Sequence, residues 1–387
     1  MESYDPNYIK SQNRKLVFDL FMAEGELSRA EITRRTTMSF PTVLKVVNHF
    51  MSKNLVCETG INVQNNEGAG RKGRLLKFNP DAYGAVGIVF EGKYINMGFV
   101  NLKGELIESM SLNIDENSGN SRFSLLFDKI GELIGRNRAI PCLGIGFGLP
   151  RVVNPGKKTI LEYTNTVIRE ISFEEYIGLP LENFRMPVFI ENDVKTLSIG
   201  EIYLRKKQET GNLVYISLGS GLGSAIILDG KVHRGVNFLA GEIGSLILGD
   251  PVLLDYKNLS GEGIENKINI KAIREKFGID VHKGLAVSES LKQEITEYIT
   301  NYLAVIIYNF VHILDIDEFV ISGVIPEFLG DEFYQYLRFF VRKLLKTSIK
   351  ITPSINTNAG VIGAGVMVFD NTIMETVLCT VTKSNWK

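Results

Sequence analysis

Apolar residues at Leu16, Val17, Leu20 and Phe21, spaced i, i+1, i+4, i+5, predict an amphipathic helix over Asn13 to Ala23. Beyond Glu24-Gly25-Glu26, Ser28 stands three residues ahead of Glu31, the spacing at which a hydroxyl and a carboxylate cap a helix start reciprocally, so a short second helix runs from there to about Thr36. Ser39, with Pro41 in the first turn where a missing N–H is harmless, opens a third helix to about Ser52. Its apolar positions Val43, Val46, Val47 and Phe50 predict the buried face, while Thr42, Lys45 and His49 project elsewhere; His49 reads as a partly buried helix residue, with a base reader as its alternative role. Two short helices, a tight turn and a third helix with an exposed polar N-terminal half make a helix-turn-helix. Strands over Leu55 to Ile61 and Arg74 to Phe78 flank a Gly- and Asn-rich loop, a wing whose Arg71 and Lys72 can meet phosphates or enter a narrow minor groove. The alternative is a three-helix packing module with a solvated basic loop.

From Tyr83 the pattern becomes strands and helices separated by glycine turns. Gly87 to Phe90, Tyr94 to Asn101 and Glu105 to Ile114 predict three antiparallel strands, followed by a helix over Ser121 to Gly135 and an apolar strand over Cys142 to Gly148. Val188 to Glu191 leads into Asp193 and a helix to about Leu204. The order then repeats: Leu213 to Leu218, Ser224 to Leu228 and Lys231 to Arg234, then helices and a strand at Glu318 to Ser322. Two sheet-then-helix lobes with a cleft between them are expected.

The chain has 387 residues, 44% of them hydrophobic and 22% charged, which excludes intrinsic disorder as its general state. A net charge of −1 hides an asymmetry: residues 1–80 carry 12 Lys/Arg against 8 Asp/Glu, so the chain is locally basic where the helix-turn-helix lies. Cys57, Cys142 and Cys379 are odd in number and far apart, which predicts no disulfide framework and a reduced, cytoplasmic setting. The N-terminus has no apolar signal core, and the most apolar stretch, Tyr302 to Leu314, is short and holds Asn309 and His312; neither secretion nor a membrane span is expected.

Ser28-Arg29-Ala30-Glu31, Gly70-Arg71-Lys72, Glu191-Asn192-Asp193, Gly219 to Ser224, Ala240-Gly241-Glu242-Ile243-Gly244, Ile321-Ser322-Gly323 and Ala359 to Ala364 occur in that order. Together they make the chain resemble the ROK family (repressors, open reading frames and sugar kinases), in particular its regulators of the xylose-repressor type, over nearly its whole length. The resemblance implies an α/β chain with a winged helix-turn-helix at 1–80 and a two-lobed actin- and hexokinase-like domain at 81–387. Its lobes would cover about 81–200 plus 366–387, and 201–365. Ser39, Thr42, Lys45, Arg71 and Lys72 would contact DNA, and Asn165, Asn192, Asp193, Glu242 and Glu265 a sugar effector. Asp193 stands at the family's general-base position; capping the helix that follows is its alternative role.

The departures bear on activity. Where a family kinase carries Asp-x-Gly-Gly-Thr for Mg²⁺ and a terminal phosphate, this chain has Val89-Phe90-Glu91-Gly92-Lys93. The loop Gly219 to Gly223 survives, as a phosphate cradle or as a ligand-free turn. Ser245 replaces the family's zinc-binding His, and no Cys or His occurs between Leu246 and Lys271, so no zinc is expected and residues 250–269 have no assigned fold. The expectation is a sugar-responsive repressor that binds a duplex operator as a homodimer, with no cofactor, metal or catalytic residue. The alternatives are an ATP-dependent sugar kinase with an accessory DNA-binding module, and a repressor controlled by a protein partner.

Overall fold

The computed structural model describes residues 6–63, 73–92, 94–113, 121–163, 168–205, 211–248, 263–281 and 287–379. Arg71, Lys72, Lys93, Asn165 and positions 250–262 therefore lie outside the described residues.

The N-terminal module runs α1 (Pro6–Glu24), β1 (Glu26–Ser28), α2 (Arg29–Thr36), α3 (Phe40–Ser52), β2 (Val56–Val63) and β3 (Gly73–Phe78). Helix α1 starts well before the apolar stripe, because its first turns, with Tyr8 and Ile9 exposed, carry no periodic signal. Ser28 Oγ accepts from the Glu31 N–H at 3.2 Å and Glu31 Oε2 accepts from the Ser28 N–H at 2.7 Å, the reciprocal cap expected. Thr37, at φ 56°, ends α2 and turns the chain into Ser39. Ser39 sits at the start of α3 without capping it; its hydroxyl lies 2.9 Å from Thr42 Oγ1 instead. Val43, Val46, Val47 and Phe50 are buried as predicted. Strand β3 pairs with β2 on one side and with β1 on the other. Glu58 of β2 holds both Arg29, at 2.9 Å, and Arg74, at 2.6 Å, tying the wing strands to the start of α2.

The rest of the chain carries two sheets. The first contains β4 (Gly84–Glu91), β5 (Tyr94–Asn101) and β6 (Leu106–Asn113), then, beyond α4 (Ser121–Arg136), β7 (Cys142–Leu149). A small sheet of β8 (Val152–Asn154), β9 (Thr159–Tyr163) and β10 (Ile168–Ser172) and a short α5 (Phe173–Ile177) precede β11 (Val188–Asn192) and α6 (Asp193–Leu204). The second sheet contains β12 (Leu213–Leu218), β13 (Leu222–Leu228) and β14 (Lys231–His233). Helices α7 (Glu265–Ile268), α8 (Ile270–Phe277) and α9 (Glu289–Leu314) lead to β15 (Glu318–Ser322), α10 (Val324–Leu329), α11 (Asp331–Leu344) and β16 (Lys350–Pro353). The two sheets have orders β6-β5-β4-β7-β11 and β14-β13-β12-β15-β16. Each is an antiparallel meander joined to parallel strands, so the repeat read from the sequence is a repeat of topology.

Helix α12 (Ala359–Ile373) packs as one piece on α6 and on β4, β5 and β7. The chain therefore returns to the first sheet at Ala359, and a boundary at 366 would cut a continuous helix. The contact is backbone to backbone. A Cβ at Gly200 would stand 1.9 Å from Ala359 O, one at Gly363 1.9 Å from Thr196 O, and one at Gly146 2.0 Å from Ala364 O. A π turn, Met374–Leu378, continues α12. Among the described residues, Ala359–Leu378, rather than Tyr302 to Leu314, is the helical span long and apolar enough to cross a membrane, and it is mostly buried as a core element. One hydrophobic cluster joins Val17, Phe21, Val47 and Phe78 of the N-terminal module to Val361, Phe369, Val377 and Leu378 at the other end of the chain.

Candidate functional site: a reading head and an interlobe cleft

On α3, burial of Val43, Val46, Val47 and Phe50 leaves Pro41, Leu44, Lys45 and Asn48 exposed along one face, at spacings of three and four residues. Ser39 and Lys45 are exposed and Thr42 is half-buried, its hydroxyl engaged with Ser39. Asn48 was not singled out by the sequence reading, although its i+3 spacing from Lys45 places it on the same face. His49 points inward. Its Nε2 lies 2.8 Å from Val377 O, and since a carbonyl only accepts, Nε2–H is the donor. Burial holds this imidazole below its ordinary pKa range, and the bond to Val377 offsets that only in part.

In the cleft, the N-cap of α6 is Asn192 and not Asp193. Asn192 Oδ1 accepts from the Lys195 N–H at 3.0 Å, while its Nδ2 donates to Arg151 O at 3.2 Å and to Asp193 Oδ1 at 3.0 Å. Its side chain is thus committed to the fold as well as facing the site. Asp193 Oδ1 also accepts from the Val194 N–H at 2.8 Å. Desolvation first, then Glu242 and Glu91, push the Asp193 carboxyl up to about 7. Lys195, only 1% exposed, donates to Phe238 O at 3.1 Å and lies 3.8 Å from Glu242 Oε1. Its ammonium is lowered by burial, and the Glu242 carboxyl is raised by burial and by Glu265. Glu191, equally buried, accepts from Arg234 Nε at 2.6 Å. Tyr163 OH donates to Asn237 O at 2.7 Å. Three bonds from the first lobe thus hold the loop from Arg234 to Glu242 against the N-terminus of α6.

At the end of β4 stand Val89 and Glu91, where the resemblance implies that a family kinase carries Asp-x-Gly-Gly-Thr. Val89 is buried, and a Cβ on Gly148 or on Gly360 would lie 3.2 or 3.1 Å from its methyl groups. Glu91 accepts from Asn96 Nδ2 at 2.8 Å; desolvation raises its carboxyl, and Glu327 raises it further. In the glycine loop the Gly219 N–H donates to Gly221 O at 2.9 Å, and the Leu222 N–H points to Glu265 Oε2 at 3.4 Å. One amide of the loop is thus closed on itself, and the Glu265 carboxylate lies beside Gly221. Glu265 is therefore tied beneath this loop and beneath Gly244. The residues that follow Ser245 offer no zinc donor set, since 246–270 contain neither Cys nor His.

The model of the ROK family matches residues 85–371. The chain belongs to the ROK family. A ROK family transcriptional regulator, a homologue of the E. coli MLC protein, superposes with a TM-score of 0.74 at 20% identity over 96% of this chain and 98% of that one. This ROK chain therefore has the two-lobed fold with an N-terminal helix-turn-helix. It is 29% identical over 250 residues to the xylose repressor of Bacillus spizizenii, which is 64% of this chain and 63% of that repressor. The match thus spans less than two thirds of that relative's length. The glucokinase of Halalkalibacterium halodurans is 23% identical over 73% of this chain and 94% of its own. Repressors and kinases therefore both stand among its relatives.

Proposed function

We propose that this ROK protein is a sugar-responsive DNA-binding transcriptional regulator, a cytoplasmic repressor of carbohydrate-utilisation genes whose kinase-like domain senses its ligand without catalysing phosphate transfer. The reading rests above all on a helix pair, with α2 capped at Ser28 and α3 exposing Lys45 and Asn48, fused to a two-lobed domain that brings Asn192, Asp193 and Glu242 together and has Val89 where a kinase would carry its metal-directing carboxylate. Ser39, Thr42 and Lys45 with the wing cations Arg71 and Lys72 read and grip the operator. Asp193 and Glu242, with Asn165 and Asn192, offer oxygens and amides to sugar hydroxyls, with xylose, the sugar in its relatives' name, as the first candidate. A homodimer formed through the effector lobes presents two heads to a two-fold operator.

The test is anisotropy of labelled duplex DNA from upstream of the protein's own coding sequence, titrated with and without D-xylose and other pentoses and hexoses. Sugar and operator must weaken each other by one factor, about 5- to 150-fold for a coupling of about 1–3 kcal/mol. Binding that ignores every sugar refutes the sensor; no binding refutes the regulator. A kinase is the second reading, favoured by the Asp193 carboxyl at about 7, poised to take a hydroxyl proton near neutrality. ADP release with Mg²⁺·ATP and each sugar, abolished in Asp193→Asn, would establish it.

A further inference from the structure

We propose that His49 and Arg14 are positioning residues that carry the state of the cleft to the reading head, by gripping the π turn at the end of α12. Arg14 of α1 donates through Nη1 to Leu378 O at 2.6 Å, and His49 of α3 donates to Val377 O at 2.8 Å. These are consecutive carbonyls of one turn, held by two different helices of the head. Upstream, α12 lies against α6 through Gly200 and Gly363, with carbonyl oxygens where side chains would otherwise stand. The N-terminus of α6 carries Asp193 and Lys195, and the Lys195 ammonium lies 3.8 Å from Glu242 of the second lobe. At its other end α6 is tied to the second lobe: Arg205 bridges Glu201 and Glu318, each at 2.7 Å, and Ser354 Oγ donates to Glu201 Oε2 at 2.7 Å.

Close-packed elements transmit displacement because they have no slack to absorb it. A change of lobe angle that moves α6 must move α12 with it, and the π turn then draws on α1 and α3 at two fixed points. The buried apolar contacts of Val377 and Leu378 with the head keep the turn seated while the two polar bonds set its direction. His49 faces this turn and not the exposed face of α3, so its part is to orient the helix that reads DNA.

This inference rests on the sugar-sensing reading above, and the experiment separates the two. The full-length wild type and the double variant Arg14→Met, His49→Ala are titrated with D-xylose and with the upstream duplex, and amide exchange is followed in α6 and α3. In the wild type, D-xylose lowers operator affinity and changes exchange in both helices. In the double variant, D-xylose binds within about twofold of wild type and still changes α6, while the change in α3 vanishes and the loss of operator affinity shrinks at least fivefold. Arg14→Lys, His49→Gln, which restores a donor at each site, recovers the response; a merely structural role would move stability and not this ratio. A double variant that responds as fully as wild type overturns the relay alone. A wild type in which D-xylose changes neither α6 nor operator affinity overturns the sensing reading for this sugar, and the relay with it.

Discussion

Replacing Gly200 with Ala sets two effects of known sign against each other. In a helix interior Ala is favoured over Gly by about 1 kcal/mol. The new methyl at this position, however, would stand 1.9 Å from Ala359 O and 2.9 Å from Gly363 N, both backbone atoms of a buried helix that no side-chain rotation can move aside. Overpacking of this kind costs about 1–3 kcal/mol, and a backbone clash belongs at the upper end. The net expectation is a loss of about 2 kcal/mol. Gly131→Ala supplies the control, since α4 is exposed there and nothing lies within 4 Å of the added carbon; the propensity term acts alone and stabilises by about 0.5–1 kcal/mol. Urea unfolding followed by far-ultraviolet circular dichroism reads both as shifts of midpoint at unchanged slope. A Gly200→Ala protein as stable as wild type would refute the reasoning, because it would mean that α6 and α12 separate without penalty.

Lys45→Ala should weaken operator binding and blur its discrimination between sequences, as for a lost base-edge contact; a uniform weakening with the salt slope lowered by about one would move Lys45 to the backbone. Asp193 binds its proton more tightly in the fold, at about 7, than at its ordinary 3.8. Its contribution to stability is therefore complete below about pH 4 and lost as the pH rises through 7, so Asp193→Asn should flatten the unfolding profile between those limits. Arg234→Ala leaves the buried Glu191 carboxylate without its cation; broken buried pairs cost about 3–5 kcal/mol, and the partial exposure of Arg234 reduces this to about 2 kcal/mol, read from the same urea midpoints.

Local signals were the legible ones. The box at Ser28 and Glu31, the buried face of α3 and the strand Glu318–Ser322 follow from spacing within a few residues. Three-residue β1 and β8 are too short for a period of two to show, and β1 exists because β3 offers it an edge. Asn192 and Asp193 could each cap a helix by type, and only the extended backbone of Asn192, at φ −63° and ψ 144°, decides which does. The ties that shape the cleft were hidden for another reason. Tyr163 to Asn237 and Lys195 to Phe238 link residues distant in sequence through backbone carbonyls, which every residue has, so side-chain type cannot announce them. A lysine buried to 1% runs against composition as well, since its charge is expected in water.

The apolar cluster that joins the head to α12 also fixes an order of manufacture. Translation delivers Val17, Phe21, Val47 and Phe78 early and Val377 and Leu378 at the far end of the described chain. Until the last of these has left the ribosome, the inner side of the head has no cover. A chain interrupted in the effector domain thus exposes the signature that chaperones and proteases recognise, so a head made without its effector domain is expected to be short-lived.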